Sequence, residues 1–70
     1  MRRKVYDADN PPPVYLSTSA GFWRLINGGM PLCKDQDEAA TRWCARQFGF
    51  NPELLPVWNG DTGTFSNLGE

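Results

Sequence analysis

Apolar and polar positions along the chain follow two different periods. Val14 to Ser19 and Phe22 to Ile26 are rich in aromatic and β-branched residues, which suit half-buried strands. Beyond them comes Asn27-Gly28, the pair that most readily supplies the two positive φ values of a type I′ turn, so a hairpin is expected. With Asn27 and Gly28 as the loop, Leu25 faces Met30 and Trp23 faces Leu32. One face of the ribbon then carries Trp23, Leu25, Met30 and Leu32 into the core. Pro31 cannot donate to a ladder, which puts the return strand at a sheet edge or gives it a bulge.

After Lys34 the period becomes helical. Asp35 is placed to cap a helix, Glu38 three residues later completes a capping box, and Ala40, Trp43, Cys44 and Phe48 recur at helical spacing. At 100° per residue Ala40, Cys44 and Phe48 centre the apolar stripe, with Trp43 and Gln47 at one border and Thr41 at the other. Glu38, Arg42, Ala45 and Arg46 face away. Gly49 in the left-handed position, Phe50 after it and Pro52 beyond are the stop signals.

The remaining chain brackets this unit. Residues 1–13 read as a flexible extended arm: basic Arg2, Arg3 and Lys4, then Val5-Tyr6, an acidic turn and Pro11-Pro12-Pro13. Ser19-Ala20-Gly21 is a short break between the first two strands, and Leu54 to Trp58 offers a last strand, edge-bound or interrupted because of Pro56. From Asn59 to Glu70 turn formers dominate and a loose tail is expected. The fold class is α+β: a small antiparallel sheet of two to four strands, with its central hairpin at Asn27-Gly28, packed on one helix within residues 14–58.

Composition narrows the function. The chain has 70 residues, enough for one small domain, and no histidine. Two cysteines without Cys-x-x-Cys spacing leave a metal site short of ligands, so neither metal nor cofactor is expected. With no glycine-rich phosphate loop and too little bulk for a deep cleft, an enzyme is not expected. No apolar run follows the basic start, which predicts a cytoplasmic protein with Cys33 and Cys44 as free thiols and no membrane span. Net charge is −1, against the basic excess of a general nucleic-acid binder, while nine aromatic residues suit a small core or an interface.

The candidate partner-binding residues are therefore Arg2, Arg3, Lys4, Val5 and Tyr6 on the arm, Arg24 on the ribbon face opposite the core, and the Arg42–Arg46 pair on the helix. Arg42 and Arg46 also fit ordinary pairing with Glu38 one turn earlier. The alternative is a small nucleic-acid-binding module, or a WW-domain ligand through Pro12-Pro13-Val14-Tyr15.

Two resemblances attach to these residues. The run Glu38 to Phe50 resembles the helix of scavenger-receptor cysteine-rich domains, but the chain lacks that family's length and its other cysteines. The layout of an aromatic strand beginning Phe22-Trp23, a hairpin, a helix start at Asp37-Glu38-Ala39 and a final strand resembles small phage-encoded proteins that bind bacterial RNA polymerase. That likeness implies a non-catalytic regulator in the host cytoplasm, which blocks transcription initiation and suppresses termination.

Overall fold

The computed structural model describes residues 6, 7 and 9–66, and the arm residues Arg2, Arg3, Lys4 and Val5 lie outside them. Five strands form one sheet: β1 (Val14–Ser19), β2 (Phe22–Asn27), β3 (Met30–Asp35), β4 (Val57–Asn59) and β5 (Thr64–Ser66), in the order β3-β2-β1-β4-β5. Helix α1 (Glu38–Gln47) and a short 3-10 turn η1 (Pro52–Leu54) connect β3 to β4. All pairings are antiparallel except β1 with β4, the consequence of a crossover that carries the chain past β2 and β1. This is the expected α+β fold, widened by one strand. Thr64–Ser66, within the stretch 59–70 expected as a loose tail, form β5, with Phe65 directly opposite Trp58.

The hairpin loop lies one residue later than expected, which moves each cross-strand partner by two. Asn27 pairs with Met30, so the loop is Gly28-Gly29, with φ of 61° and 85° as a type I′ turn requires. Two glycines in sequence outcompete Asn27 for those positions. Farther along, Ile26 pairs with Pro31 but Leu25 with Cys33, leaving Leu32 as the extra residue of a bulge. Met30, expected in the core, stands at the hairpin tip, 66% exposed.

The β1–β2 loop, Ala20-Gly21, also has positive φ at both positions, and Ala20 at 52° is the only non-glycine residue there among those described. Alanine gains nothing from the left-handed region to offset its steric cost. Ala20→Asn would give the preferred type I′ pair, and a thermal melt should show a gain of roughly 2–8 °C, from about 0.5–1 kcal/mol. An unchanged or lowered midpoint would contradict this reading of the turn.

Helix α1 starts at Asp37 rather than Asp35. Asp35 is still paired in the ladder with Trp23, so its carboxylate accepts from the Asp37 amide (2.9 Å) while that of Asp37 caps the helix through Ala39 N–H (3.0 Å). At the other end Gly49, with φ of 90°, and Phe50 close a Schellman motif: Phe50 N–H donates to Ala45 O and Gly49 N–H to Arg46 O.

The helix packs on β2 and β3, and the core is Leu16, Leu25 and Ala45, with Val14, Trp23, Leu32, Cys33, Phe50, Leu55 and Val57 around it. The buried helical stripe runs through Thr41 and Ala45 rather than Ala40, Cys44 and Phe48; Phe48 is exposed and Ala45 faces inward. Thr41 tolerates that place because its hydroxyl donates to Asp37 O (3.3 Å), leaving its methyl to pack. A disulfide holds the rotation: Cys33 and Cys44 are joined, not free. Without the bulge Cys33 would lie on the far face of the sheet; the extra residue reverses its side and turns it to the helix.

Candidate functional site

Two surfaces remain after the core is assembled. The first is the solvent side of α1. Trp43 is 62% exposed there, one turn after Ala39 and one turn before Arg46 and Gln47. Phe48 at the helix end is 52% exposed and Leu54 in η1 is 68% exposed. Arg42, half-buried, joins Glu38 through Nε (2.7 Å) and donates from Nη1 to Pro52 O (3.0 Å), which ties η1 to the helix. Arg46 stays exposed, 3.7 Å from Glu53. Of the predicted helix pair, Arg42 is thus engaged within the chain and Arg46 is the cation beside Trp43.

The second is the sheet face opposite the helix, which carries Arg24. Direct cross-strand pairing sets Lys34, Arg24, Ser17, Trp58 and Phe65 in one row across all five strands. At one end Lys34 Nζ lies 4.7 Å from the centre of the Phe22 ring, with Arg24 directly opposite Lys34. Neither cation has an ion pair among the described residues. At the other end Phe65 meets Trp58 at 4.8 Å, Tyr15 at 5.1 Å and Tyr6 at 6.3 Å, the last two edge to face. Tyr15, Trp58, Phe65 and Pro11 line a cleft of about 240 Å³.

The end of the predicted arm therefore packs on the domain. Tyr6 reaches Phe65, Pro12 is buried, Pro13 O accepts from Gly28 N–H (2.8 Å), and Asp7 caps its own turn by accepting from the amides of Asp9 (3.0 Å) and Asn10 (2.8 Å). Val14 and Tyr15 of the proline–tyrosine motif are paired in β1 with Asn27 and Ile26, so that half of the motif is engaged in the sheet.

Sequence reasoning placed Trp43 at the border of the core stripe and Trp58 at the end of a last strand. The signal that would have found Trp43 is its place on the helix: with Thr41 and Ala45 inward, it falls on the far side. No helix among the described residues is long and apolar enough to cross a membrane, and no group of three potential metal ligands occurs among them. Comparison with protein-family models, curated proteins and solved structures finds no match to this chain.

Proposed function

We propose that the chain is a non-catalytic protein-binding regulator that docks through the Trp43 side of α1. The observation that supports this reading is the 62% exposure of Trp43 on a helix otherwise anchored by a disulfide and a Schellman motif. A large indole held in water by a rigid element offers contact area at little ordering cost, and Trp with Arg is the pairing most enriched at interface hot spots. Arg46 supplies that cation, and Leu54 and Phe48 add apolar area. The partner that the resemblance implies is bacterial RNA polymerase, with inhibition of initiation as the outcome and suppression of termination as a second effect. Its place of action is then the host cytoplasm, a reducing compartment where the Cys33–Cys44 bond persists only if its potential lies below that of the thiol pool.

Trp43→Ala removes no core contact, so circular dichroism and the melting midpoint should stay close to wild type. Binding to purified bacterial RNA polymerase, read by interferometry, should weaken by about thirtyfold, or roughly 2 kcal/mol. Wild-type affinity in the variant would remove this surface from the account. No binding by the wild-type chain would remove the polymerase.

A further inference from the structure

The cross-strand row on the open sheet face carries an inference independent of the helix surface. Arg24 and Lys34 stand directly opposite each other, a like-charge pairing that costs stability unless an anion sits between or above them. The described residues supply no carboxylate to either. Ser17, the next residue in the row, is small and stands between the two cations and Trp58. Beyond it the cleft of Tyr15, Trp58 and Phe65 is walled on its fourth side by the chain's own Pro11. The chain's own proline thus shares that cleft with three aromatic rings.

We propose that this face binds an extended, proline-containing acidic peptide, its proline rings in the aromatic cleft and a carboxylate against Arg24 and Lys34. Polyproline backbone has no internal hydrogen bonds and needs no sheet edge, so it suits a face rather than an edge strand. Its carbonyls find donors in the Tyr15 hydroxyl and the Trp58 indole N–H, neither of which has a hydrogen-bond partner among the described residues. Arg24 and Trp58 are two strands apart, roughly 10 Å at about 4.8 Å per strand, which is close to three residues of polyproline helix at about 3.1 Å each. The fitting motif is an acidic residue followed three positions later by proline. At about 240 Å³ the cleft is smaller than a typical small-molecule pocket and suits one or two side chains. Single-stranded nucleic acid fits less well. The rings of Tyr15 and Phe65 meet edge to face instead of presenting parallel platforms, and Asp7 and Asp9 lie on the segment that brings Pro11 to the cleft.

The test is an NMR titration of the full chain with a blocked peptide in which one glutamate precedes a proline run by three residues, alongside its glutamine counterpart. Saturable shifts are expected at the Trp58 indole N–H, Tyr15 and Arg24, with the glutamine peptide about fivefold weaker. Arg24→Gln should narrow the preference for the glutamate peptide and Arg24→Gln with Lys34→Gln should abolish it, while Trp58→Phe, which keeps a ring but loses the donor, should bind both about tenfold more weakly. If Trp58→Phe disturbs the spectrum globally, Tyr15→Phe removes the other donor and reads the same loss. Absence of saturable shifts overturns the proposal, as do shifts confined to Trp43. Saturation of this face by an oligothymidylate or oligouridylate but not by the peptide would also overturn it.

Discussion

Reduction of the Cys33–Cys44 disulfide should lower the melting midpoint by roughly 12–24 °C. The bond closes a loop of eleven residues' separation, for which the chain-entropy model gives about 3 kcal/mol, and each kcal/mol is worth about 4–8 °C in a domain this small. The effect is large because the core cluster among the described residues is small, with Leu16, Leu25 and Ala45 at its centre, and because the bond joins α1 to β3. Calorimetry with and without a strong reductant reads it directly. A shift below about 4 °C would mean that the helix is held by packing and the Schellman cap, with the bond contributing little.

Leu25→Ala should remove a large part of the domain's stability. Leu25 lies between Leu16 and Cys33 in the ladder and at the centre of the core cluster, so truncating it opens a cavity there. Leucine-to-alanine changes at such sites cost about 2–5 kcal/mol, against a total stability of about 3.5–10 kcal/mol for 70 residues. Denaturant titration should show a broad transition or one already under way in buffer. A sharp transition with a midpoint near wild type would place the core elsewhere in the sheet.

Much of this architecture was legible in the sequence because local signals agreed: β-branched runs for β1 and β2, and Gly49-Phe50 for the helix stop. What failed was parity. A loop at Gly28-Gly29 rather than Asn27-Gly28 moves each cross-strand partner by two residues and keeps the faces, but the bulge at Leu32 reverses the side of Cys33 and brings it to Cys44, and no local signal marks that bulge. The helix face was misjudged for a related reason: hydrophobicity favoured Phe48 over Thr41, but Thr41 satisfies its hydroxyl within the helix and Phe48 falls at the C-cap. β5 was hidden because three residues amid turn formers carry almost no propensity, and Phe65 packing on Trp58 is a tertiary fact.

The surfaces were partly legible. Arg24 was placed on the face opposite the core, and the ladder puts it there, in a row with half-buried Ser17, Trp58 and Phe65. Its aromatic end could not be read, because it joins residues 11, 15, 58 and 65 through a crossover and a fifth strand.

The most direct test of the proposed docking surface is site-specific photo-crosslinking to purified bacterial RNA polymerase, with the crosslinking side chain placed at position 43 or, as an equally exposed control, at position 30. The account predicts a covalent adduct to a polymerase subunit from position 43 and none from position 30. An adduct from position 30 alone, or from neither position under saturating polymerase, would contradict it.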